Sequence, residues 1–390
     1  MYPAGLEWTP DWSRAPGERL PWYHDMSSVL EPGVSEATLQ TDFDDEVAFR
    51  SVRKILDLAR SDDPRPFFLL ASFIHPHDPW EVPRAYLSRY DGKEVDPPEV
   101  PSLSDAELDP HSRRIRSMCG DEGSSIGEET VRNARRAYYA AVSFVDDKIG
   151  QLLQALEASG LREDTIVVVT SDHGEMLGER GLWYKMSFFE PSARVPLIVT
   201  APSRFAPGRV AKNVSLIDLL PTLLEIAGDE ARVVPVDPIE GNSLVPLLRG
   251  EDDASWPDSV FGEYLAEGTL APMVMIRRGP YKYVRCPGDP DQLFDLSADP
   301  HELGDLAGSP AHAGVLRGFR EESDERWDLD ELHRSVVESQ SRRHRVVEAL
   351  GEGRHAAWDY QPPDDSSARY VRGEDFWEPF AGARLRPDEP

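Results

Sequence analysis

The 390-residue chain is strongly acidic: 71 Asp and Glu residues outnumber 42 Lys and Arg residues, which gives a formal charge of −29. An acidic surface repels phosphate backbones and anionic lipid headgroups, so we expect neither nucleic-acid nor membrane partners. A net anionic substrate is disfavoured for the same reason, whereas a zwitterion is not. Because 40% of the residues are hydrophobic, the chain is expected to form globular domains of about 150 residues each.

Cysteine content and the N-terminal sequence favour a cytoplasmic protein. The two cysteines, Cys119 and Cys286, cannot build a disulfide framework or a cysteine-rich zinc site. The first residues have neither the basic start nor the apolar core of a signal peptide. The longest apolar run, around residues 67–74, is too short to span a bilayer.

A helix and a strand are predicted in the first part of the chain. Thr41 is expected to cap a helix that runs to Ala59, with Asp44 three residues after the cap. The apolar run over residues 65–74 predicts a buried strand. Residues 81–127 are rich in Pro, Gly and acidic side chains and predict no regular element. So long a stretch inside a domain is usually functional or mobile, and its role is left open.

Helices and strands alternate in the next part of the chain. Apolar residues recur every three or four positions from Glu128, and Gly160 ends this predicted helix. Buried strands are predicted at 165–170 and 195–199, and a helix at 214–227. The strands have no polar alternation and long helices separate them. They therefore predict a parallel sheet that is covered by helices on both faces.

The pattern changes after Gly250. Short runs with strand character, punctuated by Gly and Pro, indicate a small antiparallel sheet formed by residues 260–264, 273–276 and 281–284. Residues 312–350 are charged and mostly helical. The tail beyond them contains several aromatic side chains without periodicity. Because such side chains are poorly suited to water, we expect the tail to dock on a neighbouring subunit of a homo-oligomer.

Residues with metal-ligating side chains follow two of the predicted strands. His75, His77 and Asp78 follow the first strand, and Asp172 and His173 follow the second. Ligand sites in open parallel sheets lie beyond the carboxyl ends of the strands, so we expect these side chains to lie close together. An adjacent carboxylate and imidazole offer one oxygen and one nitrogen to a divalent cation.

Lys185 follows a glycine-rich loop and is placed to reach an anion. Each of these residues also has an ordinary structural interpretation when it is taken alone. His75 and Asp172 could cap turns, and Lys185 could be a surface lysine. Their common placement beyond two strand ends favours the functional interpretation.

Two longer sequence motifs around these residues resemble those of a known family. Residues 170–185 read TSDHGEMLGERGLWYK, and residues 75–79 read HPHDP. Both words resemble signatures of the sulfatase family in the alkaline-phosphatase superfamily. Residues 2–12, 281–299 and 358–362 are similar to the choline-sulfatase branch of that family. The resemblance extends over essentially the whole chain.

The resemblance implies a fold of the α/β class, in which helices flank a mixed sheet. The catalytic α/β domain is expected over residues 1–250, without its N-terminal part. A smaller α+β subdomain with an antiparallel sheet is expected over residues 251–350, and an extended tail over residues 351–390.

The resemblance also implies a role for each matching residue. Asp172 and His173 would be metal ligands, with His173 where many sulfatases have Asn. His77 would donate to the sulfate or to its leaving oxygen, and Lys185 would hold a sulfate oxygen as a point charge. The expected metal is Ca²⁺, with Mn²⁺ and Mg²⁺ as alternatives.

A second group of residues is expected to recognise choline. The quaternary ammonium of choline has no N–H, so aromatic faces and negative charge must bind it. Trp8 resembles the aromatic wall of the family, with His24 beside it and Glu263 as an acidic partner. Without the resemblance, Trp8 would be interpreted as a packed surface aromatic.

The chain departs from the family at the nucleophile. Sulfatases use a hydrated formylglycine that is made from Cys or Ser in a C/S-x-P/A-x-R word. Neither Cys119, Cys286 nor any Ser lies in such a word. The early Asp pair of the family is missing too, so Met1 is expected to be an internal position, as in a fragment of a longer sulfatase.

The expected function is that of a sulfuric ester hydrolase that cleaves choline sulfate to choline and sulfate. Without its nucleophile segment, the chain is expected to be inactive by itself. One alternative is a phosphonate or phosphate monoester hydrolase of the same superfamily, which shares the Asp-His-Gly word. Another is a non-catalytic module that binds quaternary ammonium compounds.

Overall fold

Helices and short strands are mixed along the chain, which confirms the predicted α/β class. The computed structural model describes Trp12 and residues 25–121, 126–228, 236–251 and 255–351. The α-helices in these residues are α1 (Ser27–Leu30), α2 (Leu39–Ala59), α3 (Arg84–Leu87), α4 (Pro110–Met118), α5 (Glu128–Ala158), α6 (Glu190–Ala193), α7 (Leu219–Ala227), α8 (Val245–Leu248), α9 (Ala313–Arg326) and α10 (Leu329–Gly351).

The strands form three separate sheets in the described residues. They are β1 (Gly33–Val34), β2 (Glu81–Val82), β3 (Val167–Thr170), β4 (Leu197–Thr200), β5 (Ser259–Tyr264), β6 (Met273–Arg278), β7 (Tyr281–Arg285) and β8 (Gln292–Asp295). Short 3-10 turns lie at Ser88–Tyr90, Glu179–Gly181, Leu216–Asp218 and Pro310–His312.

The two long helices α2 and α5 share a buried core. Ile55 of α2 and Leu156 of α5 belong to the same apolar cluster. The predicted helix from Glu128 is confirmed as α5, but α2 begins earlier than predicted. Its N-cap is Thr38, whose side chain accepts a hydrogen bond from the Thr41 N–H at 3.0 Å. Thr41 is therefore the third helical residue and not the cap.

The prediction of a parallel sheet is wrong for the described strands of the first domain. β3 and β4 pair antiparallel, with Val168 opposite Val199. Parallel pairing is restricted, within the described residues, to the two-residue ladder of β1 and β2. The buried strand predicted over residues 65–74 is also wrong, because these residues form no regular element in the structure. An apolar run encodes neither the direction nor the presence of a neighbouring strand.

Several apolar side chains of residues 65–74 and of β4 are exposed. Phe68 and Leu70 are 73% and 75% exposed, and Ile198 of β4 is 58% exposed. Leu69 and Val167, by contrast, pack against the core between α2 and α5. We call Phe68, Leu70 and Ile198 the uncovered apolar residues. Exposed apolar groups of this kind are typical of surfaces that bind another polypeptide.

The prediction of no regular element over residues 81–127 is wrong, because β2, α3 and α4 lie there. The α4 helix begins after Asp109, whose carboxylate accepts a hydrogen bond from the Ser112 N–H at 3.0 Å, and Pro110 occupies its first position. Its buried apolar residues include Ile115 and Met118. Two apolar positions in a short helix do not give a recognisable hydrophobic period, so the sequence pattern does not predict α4.

The predicted antiparallel sheet beyond residue 250 is confirmed, and it has a fourth strand. β5, β6, β7 and β8 pair consecutively and antiparallel. One face packs on α9, where the ring of Tyr283 stacks on Phe319 with centroids 5.7 Å apart. The boundaries at residues 250 and 350 stay predictions.

A buried ion-pair cluster joins this sheet to the segment before β4. Lys282 Nζ lies 2.6 Å from a Glu190 carboxylate oxygen and 2.9 Å from one of Glu302, and it donates to the Phe188 carbonyl at 2.7 Å. The side chains of Lys282 and Glu302 are each 2% exposed. Burial raises the pKa of Glu302, and Lys282 opposes this effect.

We expect the Lys282→Met variant to lose about 3–5 kcal/mol in the free energy of unfolding, because two carboxylates lose their shared cation in a buried place. Denaturant unfolding measures this loss. Arg278→Gln is the matched control, since Arg278 is 46% exposed in its pair with Glu322. That change should cost at most about 1 kcal/mol. Equal losses in the two variants would contradict the prediction.

The described residues contain no helix that is both long and apolar enough to cross a bilayer. The aromatic tail predicted to dock on a neighbouring subunit lies outside the described residues.

Candidate active site

His77 and Lys185 meet at one point, although 108 positions separate them in the sequence. Lys185 Nζ lies 2.6 Å from His77 Nε2. The other ring nitrogen, His77 Nδ1, lies 2.8 Å from the Asp78 carbonyl, to which it donates. Since the carbonyl accepts the Nδ1 proton, Nε2 is the nitrogen that is directed at the site.

The turn that carries His77 is held by α2. Asp44 accepts hydrogen bonds from the Ile74 N–H at 2.7 Å and the His75 N–H at 3.1 Å, and His75 Nδ1 lies 2.6 Å from the same carboxylate. Gln40 Nε2 donates to the Asp78 carbonyl at 2.7 Å. The side chain of His75 is fully buried, and its contact with Asp44 helps to hold the turn.

Asp172 and His173 lie beside this pair, beyond the end of β3. The Asp172 side chain is 88% exposed, and its Oδ2 lies 3.8 Å from His173 Nε2. His173 Nδ1 donates to the Gly174 carbonyl at 2.8 Å, which leaves Nε2 as the nitrogen that can accept a cation. The rings of His77 and His173 are 6.3 Å apart. Four predicted site residues are therefore brought together.

The donor set fits part of a divalent cation site. A carboxylate oxygen and an imidazole nitrogen suit hard and borderline cations. No group of three or more His, Cys, Asp or Glu side chains in the described ranges is arranged to hold a metal ion. The role of Asp172 and His173 as metal ligands stays a prediction.

The loop that leads to Lys185 has an unusual backbone. Leu177, Arg180, Tyr184 and Met186 all have positive φ angles, although none of them is glycine. Such left-handed residues are uncommon and cluster at functional sites. The glycines of this loop are visible in the sequence. Nothing in the sequence indicates that these four non-glycine residues have positive φ angles.

Glu175 is a site residue that sequence reasoning missed. Burial raises the pKa of Glu175 to about 8, nearby Asp78 adds to the effect, and Lys185 acts against it. The carboxyl group is therefore mostly protonated at pH 7. A neutral Glu175 leaves the positive charge of Lys185 available to an anion. Its place directly after Asp172-His173-Gly174 is the signal that could have identified it.

The predicted choline site is not assembled in the described residues. Trp8 and His24 lie outside them, and only Glu263 is described. Its carboxylate accepts a hydrogen bond from Trp327 Nε1 at 2.6 Å. Arg326 lies over the Trp327 ring, 5.4 Å from its centroid. Glu263 is thus engaged with the helical C-terminal part, and its role toward choline stays a prediction.

The two cysteines, Cys119 and Cys286, are free and buried. Cys286 Sγ donates to the Ala271 carbonyl at 3.4 Å, and burial raises the pKa of its thiol. Since the thiolate is the reactive form, we expect both cysteines to resist an aromatic disulfide reagent at pH 7.5 in the native protein and to react fully in denaturant. Spectrophotometric titration measures this, and rapid labelling of the native protein would contradict it.

Comparison with known families identifies the chain as related to sulfatases. The family model described as Sulfatase matches residues 10–229, more than half of the chain. A model described as N-sulphoglucosamine sulphohydrolase, C-terminal, matches residues 178–327. A third, described as Choline sulfatase enzyme C terminal, matches residues 334–378.

Two curated relatives show the extent of this similarity. The choline-sulfatase of Rhizobium meliloti is 44% identical over 380 residues, which are 95% of this chain and 73% of that protein. The arylsulfatase of Clostridium perfringens is 33% identical over 252 residues, which are 63% of this chain and 50% of that protein. The chain therefore spans only part of each relative.

Solved structures agree with the fold. The phosphonate monoester hydrolase of Agrobacterium radiobacter matches with a TM-score of 0.58 and 26% identity, over 79% of this chain and 63% of that one. A sulfatase-like protein from Bacteroides thetaiotaomicron matches with a TM-score of 0.57 and 25% identity, over 77% of this chain and 66% of that one. With the family model and the Rhizobium relative, these matches show that the chain belongs to the sulfatase family of the alkaline-phosphatase superfamily.

Proposed function

We propose that this chain is the sulfate-binding and metal-binding part of a sulfuric ester hydrolase that cleaves choline sulfate to choline and sulfate. The observation that carries the proposal is its 44% identity, over 95% of the chain, to the choline-sulfatase of Rhizobium meliloti. The 2.6 Å contact between Lys185 and His77 supports it, because an ammonium and an imidazole converge beside a possible metal ligand pair.

In this proposal, Lys185 and His77 bind different oxygens of the sulfate ester. The Lys185 ammonium donates to a non-bridging sulfate oxygen and offsets charge that develops on it. His77 turns from Lys185 to the ester oxygen and, when Nε2 carries a proton, donates it as choline leaves. The Asp78 carbonyl keeps the other ring nitrogen protonated and fixes the orientation of the ring.

We further propose that Asp172 Oδ and His173 Nε2 contribute two ligands to a divalent cation, most suitably Ca²⁺, with Mn²⁺ or Mg²⁺ as alternatives. A bound cation would supply Lewis-acid stabilisation of the sulfate oxygens. The exposed Asp172 and the hydrogen bond from His173 Nδ1 to Gly174 support this assignment. The further oxygen ligands are attributed to another segment.

That segment would also carry the formylglycine nucleophile, for which this sequence has no suitable Cys or Ser word. The uncovered apolar residues support the idea, because a further segment packed on Phe68 and Leu70 would bury them. The match covers 73% of the Rhizobium relative. The remaining 27% of that protein is long enough to hold such a segment.

Complementation tests the proposed function. The chain is co-expressed with the unmatched part of the Rhizobium relative, in a host that converts Cys or Ser of the sulfatase word to formylglycine. We expect the two pieces to copurify and to release sulfate from choline sulfate, whereas the chain alone releases none. Copurified pieces without sulfate release would contradict the function. Release by the chain alone would contradict the assignment of the nucleophile to another segment.

A phosphonate or phosphate monoester hydrolase is the second candidate, favoured by the structural similarity to the Agrobacterium radiobacter enzyme. The complemented protein distinguishes the two candidates when choline sulfate, an aryl sulfate and an aryl phosphonate are compared. We expect the highest kcat/KM for choline sulfate. A higher value for the phosphonate would favour the second candidate.

A third candidate is a non-catalytic module that binds quaternary ammonium compounds, and calorimetric titration of the chain with choline tests it.

Two further properties of the protein belong to the main proposal. We place it in the cytoplasm, and we expect residues 351–390 to hold a homo-oligomer together. Light scattering of the chain with and without those residues measures the latter.

A further inference from the structure

We propose that His111, at the start of α4, is a positioning residue for Lys185. The proposal rests on the proposed function in one respect, since it is there that Lys185 is assigned to the sulfate. It gives residues 81–127 a role, which the sequence alone left open. His111 acts through the backbone of the neighbouring Met186 and does not touch the substrate.

The backbone on both sides of Lys185 is strained. Tyr184 has a φ of 64° and Met186 has a φ of 62°, so two non-glycine residues in the left-handed region flank the lysine. This conformation costs an L residue free energy, and it persists only where the surroundings hold it in place. The direction in which the Lys185 side chain leaves the loop therefore depends on what holds its two neighbours.

Different parts of the protein hold the two neighbours. The Tyr184 side chain is fully buried, its hydroxyl donates to the Asp25 carbonyl, and its own carbonyl accepts from the Met176 N–H at 2.6 Å. On the other side, the Met186 carbonyl lies 2.7 Å from His111 Nε2. This contact ties the Met186 peptide to α4.

His111 can donate in only one direction at neutral pH. It is buried, and burial lowers its pKa, so the ring is neutral and carries a single N–H. We place that proton on Nε2, because the contact with Met186 is shorter than the 3.1 Å contact of Nδ1 with the Gly268 carbonyl. The Gly268 carbonyl already accepts from Arg114 Nε at 2.6 Å.

The helix that carries His111 is fixed to the C-terminal sheet region. Arg114 donates to the Asp289 carboxylate from both terminal nitrogens, one of them at 2.9 Å. Asp109 caps the first turn. His111 is thus a rigid donor, and it transmits the position of α4 to the peptide after Lys185. Without this donor we expect Met186 to relax and Lys185 Nζ to leave His77 Nε2.

A pair of substitutions separates the two contacts of His111. The amide nitrogen of His111→Gln can occupy the place of Nε2 and donate to Met186. The amide nitrogen of His111→Asn is shorter and can occupy only the place of Nδ1, facing Gly268. Both variants keep a polar amide in the same buried site, so they are matched for the cost of burying it.

The readout is the acetylation rate of individual lysines with acetic anhydride, followed by peptide mass spectrometry. Lys212, which is exposed, is the internal reference. We expect Lys185 of the Asn variant to react about fivefold faster than in the parent chain, and Lys185 of the Gln variant to remain within about twofold. The Lys212 rate should not change in either variant.

Equal Lys185 rates in the parent chain and the Asn variant would overturn the proposal, as would equal acceleration in both variants. Thermal unfolding of both variants is measured in parallel. A merely structural role would lower the two melting temperatures without separating the two Lys185 rates. The experiment requires no sulfatase activity, so failure of the proposed function would leave its outcome intact, and failure of this inference would leave choline sulfate hydrolysis untouched.

Discussion

The Lys185→Ala variant of the complemented protein is expected to show a kcat/KM for choline sulfate that is about 10²–10³-fold below that of the parent. The ammonium lies 2.6 Å from His77 Nε2, where it can donate to a sulfate oxygen. Burial and the nearby Asp78 raise the pKa of the Glu175 carboxyl group beside it, which weakens the ability of that group to neutralise this charge. Alanine removes the charge at the point where the transition state concentrates negative charge.

Steady-state sulfate release measures this effect, and two further variants bracket it. Lys212→Ala removes an exposed lysine and should leave kcat/KM unchanged. Lys185→Arg keeps the charge but replaces a compact ammonium with a planar guanidinium, so it should restore only part of the rate. A Lys185→Ala loss of less than about tenfold would contradict the assignment of Lys185 to the sulfate.

The site around Lys185 also shows which features of the protein can be predicted from the sequence. The words around His77, Asp172 and His173 predict that these residues converge with Lys185 at one site, and the distances agree. The convergence agrees with the resemblance of both motifs to the sulfatase family, but the placement of strand ends does not explain it, because residues 65–74 form no described strand. The long helix α5 is predicted because apolar residues recur every three or four positions along it, and the small antiparallel sheet because Gly and Pro separate its short runs with strand character.

The supporting contacts could not be predicted, because they join residues that are distant in the sequence and ordinary in type. Glu263 looks like an available acid, yet it accepts a hydrogen bond from Trp327, 64 positions away. His111 lies in a stretch without a period, and only the folded chain brings it to Met186. The apolar run over residues 65–74 predicts a buried strand. A strand needs a neighbouring strand to pair with, and the described residues do not provide one there.

Asp44 is the most consequential of these hidden contacts. In the sequence it looks like a helix-capping acid, but its carboxylate is fully buried and serves the turn around His75. It accepts two backbone N–H groups, those of Ile74 and His75, and it contacts His75 Nδ1. A single side chain therefore organises the segment that carries His77 into the site.

We expect the Asp44→Ala variant to lose about 3–5 kcal/mol in the free energy of unfolding, because two buried N–H groups and the His75 ring lose their partner at once. Denaturant unfolding at pH 7 measures the loss. Asp44→Asn keeps one acceptor oxygen but directs an amide N–H at a donor, so it should recover little of the stability.

The matched control is Glu46→Ala on the same helix, where Glu46 pairs with Arg50 at an exposed site. That change should cost at most about 0.5 kcal/mol. In the complemented protein, Asp44→Ala should also lower kcat more than Glu46→Ala at a temperature at which both variants are folded, because the turn no longer holds His77 beside Lys185. If Asp44→Ala were as stable and as active as the control, the turn around His75 would not depend on Asp44.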